Sequence, residues 1–262
     1  MQTVLLIDAY NMIHRARFGW NKGDHSITFN FFRSLKSEIE RHKPDEVYIV
    51  LEGHPVHRIQ ASDGVYKANR ARIKDESFHR QKRDIIDLCK LLPVVVIRHP
   101  DYECDDVIGT LAKMHNSKRV VICSSDSDFI QLLENDNVTL WNPVKKKFIN
   151  QWPVDYIVWK SLRGDATDNI QGIKGVGDKT AMKIAKSNEM LESFLAKSDN
   201  RQIYEQAKSQ ITLVDISRDC PKWEEEKYVF CEKELKDAFT NRSFTSIIEK
   251  SWNKWVNTLG RI

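Results

Sequence analysis

The chain has 262 residues, enough for one large domain or two smaller ones at roughly 150 residues per domain. Its 41 Lys and Arg against 37 Asp and Glu give a net charge of +4, a mildly basic balance that names no partner by itself. No apolar run approaches the roughly 20 residues of a spanning helix, and five cysteines without a C-x-x-C pair argue against a disulfide scaffold and a structural zinc site.

Val4–Ile7 reads as a buried strand and is too short for a signal peptide. Ile27, Phe31, Leu35 and Ile39 recur every four residues and predict a helix. Further strands are expected at Glu46–Leu51, Val94–Ile97, Arg119–Cys123 and Val138–Trp141, with helices at Phe78–Leu92, Cys104–His115 and Ser127–Leu133. Strand alternating with helix argues for an α/β fold, a mostly parallel twisted sheet covered on both faces. After about Gln151 the pattern changes. Val154–Leu162 reads as helix, a glycine-rich stretch follows, and no further strand stands out. The expected division is a first domain over 1–155 and a mainly helical one over 156–262. Unpaired cysteines fit a reducing, cytoplasmic compartment.

The acids fall at the ends of the strands. Asp8 closes the first strand in LLIDAYN, and Glu52 the second in YIVLEGH. Glu103, Asp105 and Asp106 follow the third in YECDDVIG, and Asp126 and Asp128 the fourth in VICSSDSDF. In an open parallel sheet this edge is where sites assemble. Taken singly, Asp8 or Asp126 could be a helix N-cap, and Glu103 could favour a helix start through the dipole. Capping explains all four strand ends poorly. Clustered carboxylates raise one another's pKa, so they protonate or bind hard cations. An all-oxygen set without obvious His or Cys partners favours Mg²⁺ or Mn²⁺, and this many acids suggest two or more ions. Two ions about 3.5–4 Å apart would suit phosphodiester hydrolysis.

Residues 67–83 carry Lys67, Arg70, Arg72, Lys74, Arg80, Lys82 and Arg83 against Asp75 and Glu76. If the segment is helical, Lys67 and Arg70 share a face and could hold a phosphate over the metals. A solvated helix face would explain the outer residues equally well. Further on, Gly172, Gly175 and Gly177 punctuate a turn before a helix, where backbone N–H groups suit one phosphate. Lys174, Lys179 and Lys183 could hold neighbouring phosphates. Asp165 and Asp168, just upstream, could add metal ligands.

The order DAYN, YKANR, YECDDVIG, SSDSDF and GDATDNIQGIKGVGDKTA resembles the flap endonuclease and 5′-nuclease family, which includes phage 5′-exonucleases and the 5′-nuclease domain of bacterial DNA polymerase I. The match runs from residue 8 to about 186. The resemblance implies a PIN-like nuclease domain with a helix-three-turn-helix at about 164–187. It implies metal-dependent cleavage of DNA near 5′ ends, flaps and junctions, RNA-primed DNA included, in replication or repair. By motif, Asp8, Glu103, Asp105, Asp126 and Asp128 match metal-site acids, with Asp106, Asp165 and Asp168 as neighbours, some acting through water. Lys67 and Arg70 match the basic pair at the scissile phosphate, with Tyr66 alongside. Residues of about 67–92 would form a helical arch or its remnant. Arg72, Gly175, Gly177, Thr180 and the three turn lysines would contact DNA, and a K⁺ ion would sit on the Gly172–Gly177 carbonyls. Phe18 and Trp20 could stack on a terminal base pair or simply pack. Glu52 stands where the family has Asp; it keeps the charge and reaches further. A monomer of bacterial or phage origin is expected. A DNA-junction binding protein with weak cleavage and a PIN-type ribonuclease are the competing readings; the glycine turn and its lysines argue against the ribonuclease.

Overall fold

The computed structural model describes residues 1–19, 23–71, 73–197, 199–216 and 222–262. Trp20, Arg72 and Cys220 lie outside those residues. Strand β1 (Thr3–Asp8) is buried at every position, as a strand must be when helices cover both faces of its sheet. Helix α1 (Ala9–Ala16) follows at once, because Asp8 caps it by accepting the Asn11 N–H. Helix α2 (Ser26–His42) buries the expected four-residue stripe and ends at Lys43 in a left-handed conformation, φ 46°.

The chain continues through β2 (Glu46–Val50), α3 (Val56–Ala61), α4 (Glu76–Cys89), β3 (Val95–Arg98) and α5 (Cys104–Met114). Then come β4 (Arg119–Cys123), a 3-10 helix (Asp128–Glu134), β5 (Val138–Asn142) and β6 (Lys147–Ile149). Next are α6 (Tyr156–Arg163), the short pair β7 (Gly164–Asp165) and β8 (Ile170–Gln171), α7 (Asp178–Ile184), α8 (Asn188–Leu195) and α9 (Asn200–Ile211). The last elements are β9 (Glu224–Lys227), α10 (Glu232–Asn241), α11 (Thr245–Ile248) and α12 (Trp252–Leu259).

The main sheet has the order β6-β5-β4-β1-β2-β3-β9. Its five inner strands are parallel, and β6 and β9 close the edges in antiparallel pairing. The chain winds from β1 through β2 and β3 to one side and through β4 and β5 to the other. The crevice between the carboxyl ends of β1 and β4 is therefore the topological switch point, where open α/β sheets place their sites.

Two cores sandwich the sheet. On one face Phe31, Phe32, Leu35 and Phe78 pack with Phe239, Phe244 and Trp255. On the other, Val107, Leu111 and Phe129 pack with Trp159, Leu162 and Tyr204. Helices α6–α9 thus sit against α5, whereas α10–α12 return to the α2 face.

Two expectations change. The second half does contain a strand of the main sheet: β9 reads Glu-Glu-Glu-Lys, is exposed throughout, and is held by its ladder to β3. Ser127–Leu133 forms a 3-10 helix, not an α-helix. Within the segment 67–92, expected as an arch or its remnant, Asp75 caps α4, which buries Phe78, Gln81, Ile85 and Leu88. The irregular segment before it is anchored by buried Tyr66 and by Ile73 against the core.

Candidate metal centre

Asp8 is 5% exposed, and three donors fix its carboxylate, one of them Cys104 Sγ at 3.5 Å. Oδ1 accepts from the Asn11 N–H at 2.9 Å, and Oδ2 from Ser124 Oγ at 2.8 Å. Asn11 also binds Ser125, its Nδ2 donating to Oγ at 2.7 Å, so the ends of β1 and β4 are tied together. Asp126 lies one residue further, and its Oδ1 accepts the Asp128 N–H at 2.9 Å. Glu52 enters from β2 and its Oε2 accepts the Cys104 N–H at 3.4 Å. The neighbouring Gly53 makes that approach possible, since a Cβ there would lie 2.0 Å from the His99 carbonyl and 2.2 Å from that of Tyr102.

The first turn of α5 then delivers Asp105 to the same place. One donor atom each of Asp8, Cys104 and Asp105 lie within 4.8 Å of one another. No Lys, Arg or His among the described residues forms an ion pair with Asp8 or Asp105. Burial pushes the Asp105 carboxyl well above its usual range, and the charges of Asp126, Asp8 and Glu52 add to this. Burial also raises Asp8, against its hydrogen bonds. Glu52 is pushed up to about 8 by burial and by Glu103 and Asp8. The Lys67 charge opposes these shifts at Asp105 and Glu52 without cancelling them, and such an excess of carboxylate oxygens suits a divalent cation.

A second group joins Asp128, Asp165 and Asp168, again within 4.8 Å. This one carries its own cation. Lys160, 3% exposed, donates to Asp128 and stands 2.7 Å from Asp165 Oδ2. Burial tends to raise Asp165, but its hydrogen bond to Lys160 brings it below the usual value. An ion at these three acids would have to displace the ammonium group.

The basic segment lies between the two groups. Tyr66–Asn69 is a turn, not a helix, and Lys67 takes φ 54°. Its N–H donates to the Asp168 carbonyl at 2.9 Å, its Nζ to Glu103, and Nζ stands 3.6 Å from Asp168 Oδ2. Arg70 pairs with Asp168, and Tyr66 Oη donates to Glu103 Oε2 at 2.8 Å. The expected pair does meet at one acid, through a turn that brings both side chains to Asp168.

Asp106 is corrected. It is fully buried, and Arg58 grips it with Nη1 at 2.6 Å and Nη2 at 2.7 Å. Its Oδ1 also accepts the Val214 N–H at 2.8 Å, which leaves it a structural anchor and not a metal ligand. Arg58 Nη1 reaches Glu103 too, at 2.9 Å.

At the glycine turn, Lys174, Gly175, Gly177, Lys179, Thr180 and Lys183 are all exposed, over buried Ile173, Val176 and Ala181. Gly175 has φ 82°, which side chains disfavour. Phe18 is 86% exposed and shares a cavity of about 410 Å³ with Arg15, Arg33, Arg41 and Lys146.

Residues 3–157 match the family model for the 5′-3′ exonuclease N-terminal resolvase-like domain, and residues 151–234 that for the 5′-3′ exonuclease C-terminal SAM fold. The chain belongs to the 5′-3′ exonuclease family. Within it, the 5′-3′ exonuclease of Aquifex aeolicus is 30% identical over 215 residues, covering 74% of this chain and 73% of that one. DNA polymerase I of Thermus thermophilus is 32% identical over 213 residues; the chain spans only 25% of its length. The fold is that of the bacteriophage T5 D15 flap endonuclease, TM-score 0.66 at 20% identity over 99% of this chain and all of that one. Flap endonuclease-1 from Methanococcus jannaschii gives 0.62 at 15% identity over 98% and 92%. In this 5′-3′ exonuclease family member, sequence reasoning missed Arg58, Lys160 and Cys104. Lys160 had a usable signal, lying five residues before Asp165 on an amphipathic helix. Arg58 had none.

Proposed function

We propose that the chain is a metal-dependent 5′-nuclease that hydrolyses DNA phosphodiesters near 5′ ends, flaps and branch junctions, including RNA-primed ends. The carboxylate group of Asp8 and Asp105 at the switch point, free of ion pairs and beside the Lys67–Arg70 turn, carries this reading. Asp8, Asp105, Asp126 and Glu52 would hold Mg²⁺ or Mn²⁺, with Asp128, Asp165 and Asp168 as a second site once Lys160 yields. Bound divalent ions supply an activated water and neutralise charge on the phosphate. Arg70, whose side chain is half exposed, and Lys67 would turn from Asp168 and Glu103 to the phosphate oxygens. Guanidinium gives a two-pronged contact there and ammonium a point charge.

The proposed nucleic-acid unit is α6–α9. Lys174, Lys179, Thr180 and Lys183 with the open backbone at Gly175 and Gly177 would track one strand of a duplex, and a K⁺ ion would rest on the Gly172–Gly177 carbonyls. Exposed Phe18 would meet the terminal base pair. The division at 155/156 serves this reading, with α10–α12 returning to the nuclease layer. No described helix is long and apolar enough to cross a membrane, and action as a monomer in the cytoplasm of a bacterium or phage-infected cell completes the reading.

The test is a 5′-labelled flap duplex incubated with Mg²⁺, Mn²⁺ or EDTA, with products mapped to the nucleotide. Cleavage near the junction that depends on the ion is expected. Tight binding without cleavage in either ion would overturn the enzyme and leave a junction-binding protein. Preferred cleavage of an RNA strand would favour the ribonuclease.

A further inference from the structure

The metal centre was expected to be all oxygen, yet the third donor in its first group is sulfur. Cys104 is 1% exposed, and its Sγ lies 3.5 Å from Asp8 Oδ1. A sulfur at about 2.3 Å and a carboxylate oxygen at about 2.0 Å from one tetrahedral ion stand about 3.5 Å apart. The separation, that of an S–H···O hydrogen bond, is also the span of two donors on a shared ion. Asp105 completes the group.

We infer that Cys104 is a conditional metal ligand that gives this centre a selective affinity for thiophilic divalent cations of the Cd²⁺ and Zn²⁺ class. This rests on the proposed metal reading of Asp8 and Asp105. With a hard ion such as Mg²⁺ the thiol keeps its proton and donates to Asp8, because a soft sulfur adds little to a hard cation's shell. With a thiophilic ion the S–H bond is replaced by a sulfur–metal bond, and the proton leaves to solvent. No electrons are transferred. The ordinary alternative is a small buried residue whose S–H only supports Asp8.

The experiment uses the full chain, stripped of metal by chelator, with Cys220 and Cys231 replaced by Ser so that Cys104 is left with only the buried Cys89 and Cys123. Cd²⁺ is titrated while ultraviolet absorption is followed for a thiolate-to-Cd²⁺ charge-transfer band, and Cd²⁺ and Mg²⁺ affinities are measured by calorimetry. The parent should show the band at one equivalent and release protons to buffer. Cys104→Ala and Cys104→Ser should both lose the band and weaken Cd²⁺ at least tenfold, since even outer-shell partners commonly contribute about 10–100-fold. Mg²⁺ affinity should change far less. The serine variant is nearly isosteric, so one folded variant is secured. Mg²⁺ binding with no Cd²⁺ band, or a band and affinity that persist without Cys104, overturns the inference alone. No binding of either ion overturns the metal reading beneath it as well.

Discussion

Crowded carboxylates make the metal-free protein sensitive to pH. Glu52 has an ordinary value of 4.5 and is pushed up to about 8 in the fold, and Asp8 and Asp105 are raised as well. A group that holds its proton more tightly when folded stabilises the fold fully below its unfolded value, and that contribution is lost as pH rises through the folded value. In EDTA the melting temperature should therefore fall between pH 4.5 and about 8, and Mn²⁺ should flatten the decline; a decline unchanged by Mn²⁺ would count against the centre. Asp105→Asn and Asp126→Asn should each lower single-turnover cleavage by about 10³, equivalent to about 4 kcal/mol, while DNA binding persists. Near wild-type rates in Mg²⁺ would contradict the assignment. Arg58→Met leaves buried Asp106 without its cation, and breaking such a pair costs about 3–5 kcal/mol, readable in denaturant unfolding. Asp8 and Glu52 stood out in the sequence because each closes an apolar run. Arg58 did not, since its partners Asp106 and Gln210 lie 48 and 152 residues away in sequence and no local pattern encodes such a pairing.

Among the elements, the inner strands stood out because they are buried on both faces and read as short apolar runs. Strand β9 could not stand out, since three glutamates in a row have no strand pattern and only the open edge of β3 makes them one. In the segment that the resemblance marks as arch or remnant, α4 keeps its charges outside and puts Phe78 into the core. Helix α7 carries Lys179 and Lys183 one turn apart, both exposed. Replacing both with Ala should weaken a flap duplex, leave its isolated single strand nearly unaffected, and reduce the salt slope of log K by about 0.9 for each lost phosphate contact. Equal losses on both substrates would make the turn a purely structural hairpin. Gly175→Val should be harsher, because φ 82° strains a β-branched residue.

At the scale of the whole molecule, the helical unit α6–α9 is joined to the sheet layer at both ends of its chain. Lys160 bonds Asp128 near its entrance. At its exit Arg58 Nε donates to the Gln210 carbonyl at 2.8 Å, Val214 N–H to Asp106, and Ile216 N–H to Thr110 Oγ1 at 2.9 Å. A unit anchored this way cannot swing as it would on a single hinge, so the span from the glycine turn to the acids is fixed. The protein should behave as a ruler. Lengthening the 5′ flap should change how fast products form but not where the cut falls relative to the duplex, and sequencing-gel mapping over a series of flap lengths would show one constant register.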